Sequence, residues 1–174
     1  MKPYPAIVRH LFLAAVAGSA LAGEHAHHAH VHGQAKLEVA VDGAELNVHL
    51  ESPLDAVLGF ERAPRNEREK AAVAALRQTL AAGETLFAPT AAAGCKLVSA
   101  GSAAPVLDGK GGGDGHGDLD ADFRFTCAQP ARLTGMEVRL FDAFPKLRRV
   151  DARVVSGKGQ SARRLTAKMR YLTW

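Results

Sequence analysis

The residues best suited to chemistry lie in one short stretch, Gly23-Glu24-His25-Ala26-His27-His28-Ala29-His30-Val31-His32-Gly33, which holds five of the chain's eight histidines. Neutral imidazole is a ligand for zinc, copper, nickel and iron, and so tight a cluster offers several donors to one ion without prior folding. In an extended backbone every second side chain falls on one side, roughly 6 to 7 Å apart at about 3.3 Å per residue, so neighbours can chelate a single ion. An expression tag or a solvated linker is the plain alternative. A tag is usually an unbroken run at a terminus, whereas this run is broken by Ala and Val and follows an export signal. The stretch reads as a metal-binding tail, with zinc on two or more of His25, His27, His28, His30 and His32 and with Glu24 or water completing a tetrahedral shell. Processing after Ala22 would also place an α-amine, two backbone amides and the His25 imidazole at the spacing that wraps a square-planar ion, a copper(II) or nickel(II) alternative that cleavage after Ala20 would abolish.

The elements that must present this tail follow in order. Residues 1–22 read as a secretory signal peptide: Lys2, Arg9 and His10 precede the apolar run Leu11 to Ala17, and Ala20-Leu21-Ala22 is small-x-small. That run is too short for a spanning helix, no later stretch approaches the required length, and no membrane insertion is expected after processing. Of 174 residues, 152 remain after such a cut, a length typical of one domain. The expected organisation is a flexible tail over 23–33 and a single domain over 34–174. Ala35 to Val41 and Leu46 to Glu51 alternate apolar and polar around Asp42-Gly43, which predicts a hairpin pairing Val41 with Ala44, Leu37 with Val48 and Lys36 with His49. The tail then runs into the first strand, and a bound metal would sit at one end of the sheet. Ser52-Pro53-Leu54-Asp55 predicts a short helix as far as Leu58, with Asp55 as its first-turn acid. Asn66-Glu67-Arg68-Glu69 resembles a capping box for a longer helix with Val73, Leu76 and Leu80 on its apolar face and Gly83 placed to end it. Strand alternation recurs over 95–98, 119–127, 136–141, 149–155 and 170–174, with turns at Phe144-Pro145 and at 157–160. The fold class expected is α+β: a two-layer domain in which a mainly antiparallel sheet carries one main helix packed on it.

Other candidates are fewer. Residues 108–118 form a connector too rich in glycine for regular structure, and Asp114, His116 and Asp118, with Asp120 just beyond, would suit a weak metal site; a plain flexible loop is an equal reading. Cys95 and Cys127 are an even pair in an exported protein, so a disulfide is the default and thiolate ligation the weaker reading. His49 lies on a polar face, too far from His32 to share an ion unless the tail folds back, and reads as an ordinary surface residue. No Gly-x-Ser-x-Gly elbow, His-Glu-x-x-His helix or phosphate-cradling loop is present, so the chain is not expected to be an enzyme. Residues 23–128 carry 9 Lys and Arg against 15 Asp and Glu, and residues 129–174 carry 11 against 3. The two segments are expected to attract. An exported chain without RNA-binding signatures is not expected to bind nucleic acid.

Glu51-Ser52-Pro53 with Gly59-Phe60-Glu61-Arg62-Ala63-Pro64, then Ala92-Ala93-Gly94-Cys95, Phe125-Thr126-Cys127 and Leu140-Phe141-Asp142-Ala143-Phe144-Pro145 resemble the ZrgA-like zinc-regulated periplasmic proteins. The likeness extends to Gly33-Gln34-Ala35, Gly159-Gln160 and Leu165-Thr166. It implies a periplasmic protein of Gram-negative bacteria that binds zinc under zinc limitation and assists an import system, with a transporter component as partner. The family often carries a long insertion rich in His, Asp and Glu before the second Cys; here only the glycine-rich loop with His116 stands there, so the weight moves to the tail. A zinc scavenger or donor is the leading function; a copper(II)- or nickel(II)-binding periplasmic protein and a protein-interaction module with an incidental tail are the alternatives.

Overall fold

Strict alternation of apolar and polar residues builds the main body of the protein. The computed structural model describes residues 31–110 and 117–174; the expected signal peptide, the tail through His30 and the centre of the glycine-rich loop lie outside the described residues. The chain forms β1 (Gln34–Asp42), β2 (Glu45–Pro53), the short helix α1 (Leu54–Val57), the 15-residue helix α2 (Glu67–Ala81), α3 (Gly83–Leu86), β3 (Phe87–Pro89), β4 (Cys95–Ala103) and β5 (Asp118–Cys127). It continues through β6 (Gly135–Val138), α4 (Leu140–Ala143), β7 (Arg149–Ser156), β8 (Gly159–Leu165) and β9 (Tyr171–Thr173).

Six strands make one sheet in the order β4-β5-β2-β1-β7-β8, and β3-β6-β9 make a second. Every pairing is antiparallel except that of β1 with β7. The domain is therefore β-rich and mainly antiparallel, with a second sheet that the sequence reading lacked. One face of the large sheet buries Leu37, Val39, Leu46, Val48, Leu50, Leu119, Ala121, Phe123, Phe125, Val150, Ala152 and Val154. Those residues form one core with Phe87, Met136, Val138 and Leu172 of the small sheet and with Val73, Leu76 and Leu80 of α2. Phe87 meets Phe123 edge-on at 4.9 Å between ring centroids. Truncating such a buried ring to Ala typically costs about 3–5 kcal/mol.

Several expectations shift. The hairpin pairs Asp42 with Glu45, Leu37 with Leu50 and Glu38 with His49, two residues out of the register expected from Asp42-Gly43. The core face is unchanged because a slip of two preserves side-chain direction. Residues 159–165, expected partly as turn, form β8, and Leu140-Phe141 turn into α4 instead of extending β6. Gly83 does not end α2 with a left-handed residue; it opens α3, and a Cβ there would lie 2.4 Å from the Phe123 ring. Ser52 is buried and its hydroxyl donates to Pro53 O, so it does not cap α1. Within the basic C-terminal segment Arg139 pairs with Glu137, Arg149 and Arg164 with Asp151, and Arg170 with Asp142. Cys95 and Cys127 are opposite one another on β4 and β5 and form a disulfide.

The start of α2 is held by charge as well as by its cap. Asn66 Oδ1 accepts from Glu69 N–H at 2.9 Å, while the Glu69 carboxylate accepts from both terminal nitrogens of Arg62 at 2.7 and 2.9 Å and from Arg65 N–H at 2.6 Å. These donors, Arg62 foremost, pull the Glu69 carboxyl down to about 2 from an ordinary 4.5. A depressed carboxylate contributes stability above its unfolded value that disappears as pH falls through the folded one. Glu69→Gln is therefore expected to lower the thermal midpoint at pH 7, with the difference from wild type shrinking between pH 4.5 and about 2, as followed by melting curves across that range.

Candidate metal centre

The hairpin register decides what the end of the tail meets. Lys36 pairs with Glu51, so continuing four residues back on one strand and four forward on the other brings His32 beside Asp55. His32 is fixed at its base by Gly33, which adopts a positive φ of 72° and whose carbonyl accepts from Arg148 N–H and Arg149 N–H at 2.8 and 3.1 Å. A Cβ on Gly33 would lie 3.0 Å from Lys146 O, so only glycine lets the tail approach β7 this closely. Asp55 stands in the first turn of α1, whose first amide, Leu54 N–H, donates to Gly117 O at 2.9 Å and so anchors the helix to the entry of β5.

Glu61 completes the group. It follows the Gly59 turn, where φ is 87°, and precedes Arg62, which lies over the Phe60 ring at 5.3 Å and clamps Glu69 on α2. His32, Asp55 and Glu61 each offer a ligand atom within 4.8 Å of the others, the one such group of three among the described residues. One imidazole nitrogen and two carboxylate oxygens are a donor set that zinc accepts, with a fourth position open.

The electrostatics suit a cation. With Nδ1–H donating to Asp55 Oδ2, the neutral His32 ring keeps its lone pair on Nε2. Asp55 Oδ1 is buried and accepts no hydrogen bond among the described residues. An unsatisfied buried acceptor costs about 1–3 kcal/mol, which a bound cation would offset. The hydrogen bond to Asp55, then its charge, then that of Glu61 raise the His32 pKa above 6.5. A cavity of about 380 Å³ beside the group is lined by His32, Asp55, Gly59, Lys146 and Arg148 among others, giving an ion access from solvent.

Of the residues expected from sequence, His32 enters this group. Asp118 does not: it begins β5 opposite Pro53, at the same end of the sheet. His25, His27, His28, His30, Glu24, Asp114 and His116 lie outside the described residues, as does the Gly23-Glu24-His25 copper or nickel site. Asp55 and Glu61 were not expected as ligands. The signal for Asp55 was the register itself: pairing Val41 with Ala44 sets His32 opposite Pro53, whereas the observed pairing sets it opposite the carboxylate. Nothing in the spacing of Glu61 singles it out, because its position depends on the Gly59 turn.

Among the described residues no helix is long and apolar enough to cross a membrane. Residues 29–174 match the family model described as ZrgA family zinc uptake protein. No curated protein matches the chain.

Because zinc must displace a proton held more tightly than on a free imidazole, affinity at this group is expected to decline with falling pH from a point above 6.5. Asp55→Asn should weaken zinc binding about 10- to 100-fold, the usual effect of losing a carboxylate that ligates or orients a metal-bound histidine. Calorimetric titration at pH 6, 7 and 8 checks both, with a melting curve to establish that the variant is folded.

Proposed function

Since the chain belongs to the ZrgA family of zinc uptake proteins, we propose that it is a periplasmic zinc-binding accessory protein that collects zinc and passes it to an import system. The observation that carries this reading is the convergence of His32, Asp55 and Glu61 at the point where the histidine tail meets the sheet. In this reading His32 is the last ligand of the tail and the first of the folded domain. His25, His27, His28 and His30, with Glu24, supply the remaining donors and capture zinc from solution. The fixed carboxylates then hold it at one place on the surface, where a transporter component can take it.

The role is one of binding rather than catalysis. Zinc is cargo here, and an open coordination position with solvent access serves transfer. Exchange is supported by the exposure of His32, whose side chain is 78% accessible, and by the neighbouring Lys146 and Arg148, whose positive charge opposes retention of a cation. The export signal of the sequence and the disulfide between Cys95 and Cys127 support a periplasmic setting, since disulfides persist in oxidising compartments.

The test separates capture from anchoring in the exported, processed protein. Replacing His25, His27, His28 and His30 together by Ala should lower the number of zinc ions bound, and adding Asp55→Ala and Glu61→Ala should remove the tightest remaining site. In cells grown under zinc limitation both variants should take up less zinc than wild type. Unchanged stoichiometry and affinity in the combined variant, or uptake indifferent to deletion of the whole protein, would overturn the reading.

A further inference from the structure

The outer face of the six-stranded sheet carries a second set of metal-ligating side chains, remote from the tail. Along one cross-strand row Asp122, His49, Glu38 and Arg153 face outward from β5, β2, β1 and β7. The row beside it holds Asp120, Glu51, Lys36 and Asp151. His49 Nδ1–H donates to Asp122 Oδ1 at 2.8 Å, and His49 Nε2 faces Asp120 Oδ1 at 3.9 Å. One ring nitrogen is thus occupied by a carboxylate that fixes the ring, and the other is turned toward a second carboxylate. That is the arrangement in which an orienting carboxylate, a histidine and a metal ion act together.

The distances fit an ion between Nε2 and Oδ1. Bonds of about 2.0–2.1 Å at a tetrahedral angle place two donors about 3.3 Å apart. The observed 3.9 Å closes by a small rotation of Asp120, whose side chain is 51% accessible and free to turn. The surrounding charge favours a cation: Asp122, Asp120 and Glu38 all stabilise the positively charged form of His49. Of the nearby bases, Lys36 is engaged by Glu51 at 2.6 Å and Arg153 stands beyond Glu38. A concavity of about 770 Å³ beside the pair is lined by Glu38, His49, Asp122, Arg124 and Arg153 among others, so the imidazole is open to solvent on that side.

We propose that His49 Nε2 and Asp120 form a second divalent-metal site on the outer sheet face, with Asp122 orienting the imidazole and water completing the coordination. An imidazole and a carboxylate select a borderline ion such as zinc over calcium or magnesium. The site is weaker and faster-exchanging than the one at the tail, because only two protein ligands reach the ion, whereas His32, Asp55 and Glu61 bring three donors within 4.8 Å. The two sites hold separate ions. His32 lies six residues before Glu38, the partner of His49, or roughly 20 Å along β1 at about 3.3 Å per residue. The outer site does not depend on the function assigned to the tail, so either can fail alone.

The experiment is a zinc titration of the full-length processed protein followed by the ring-nitrogen resonances of its histidines, with His49 assigned from the His49→Gln spectrum. Zinc added beyond saturation of the tail is expected to shift the His49 Nε2 resonance. Asp120→Ala should abolish that shift, and Asp122→Asn should move its midpoint to about 10- to 100-fold higher zinc. Calcium at the same concentrations should leave the resonance in place. A His49 resonance that stays unmoved to millimolar zinc, or one that shifts identically in wild type and Asp120→Ala, would overturn the proposal. Asp120 lies on a strand face and not in the core, so Asp120→Ala is read even if His49→Gln lowers stability.

Discussion

The structure depends on the pairing of β1 with a neighbour on each side. β2 lies antiparallel to it and β7 parallel, so a strand from the start of the domain is locked between its own hairpin partner and one more than a hundred residues later. Leu37 and Val39 are buried on one face while Lys36 and Glu38 point out on the other. A shift of one residue would exchange these faces and expose the core, so the register is strongly determined. Everything at the end of the sheet inherits that register. Gly33 is held to β7 through Arg148 and Arg149, and His32 is delivered to Asp55 because β2 turns directly into α1.

A parallel neighbour for β1 also explains why the domain is built of two sheets. Antiparallel hairpins can be joined by two residues, but a parallel pair requires the chain to cross over. Here the crossover consists of everything from α1 to α4, and within it β3 pairs with β6, which later takes β9 on its other side. These short strands carry Phe87, Met136, Val138 and Leu172 onto the core face of the large sheet. Among the described residues nothing packs on the outer face, which is why its side chains are polar and why His49 can engage Asp122 there without entering the core.

Much of this was legible in the sequence where periodicity was strong. Residues 35–41, 46–51, 119–127 and 149–155 are strands with the expected faces buried, and α2 begins at Asn66 as its cap predicted. The failures share a physical cause: local signals that tertiary contact redirects. Asp42-Gly43 is a good two-residue turn, yet the pairing of β1 with β7 and of β2 with β5 is satisfied with Gly43-Ala44 in that role. Gly83 does follow the end of α2 at Ala81, but its lack of a side chain serves the approach to Phe123 rather than a left-handed cap. β8 was hidden because it is an edge strand with almost no buried residue, Leu165 excepted, and so it has no apolar alternation to read. Asp55 had an adequate local explanation as a first-turn acid, and only the register gives it a second role.

A folded anchor changes what a histidine tail can do. A free tail that wraps an ion must order each residue it uses, at about 1–2 kcal/mol of backbone entropy per residue. His32 has already lost that freedom, because the turn from Val31 O to Gln34 N–H and the two bonds to Gly33 O hold it in place. In the proposed reading, an ion captured by the tail histidines would meet His32, Asp55 and Glu61 at an effective concentration on the order of millimolar, set by a tether of a few residues. The second step would then be intramolecular, opposed by the proton that His32 must release. On that reading, capture by the tail and retention at the sheet would be coupled through His32, and the coupling would depend on how firmly Gly33 is held beside β7.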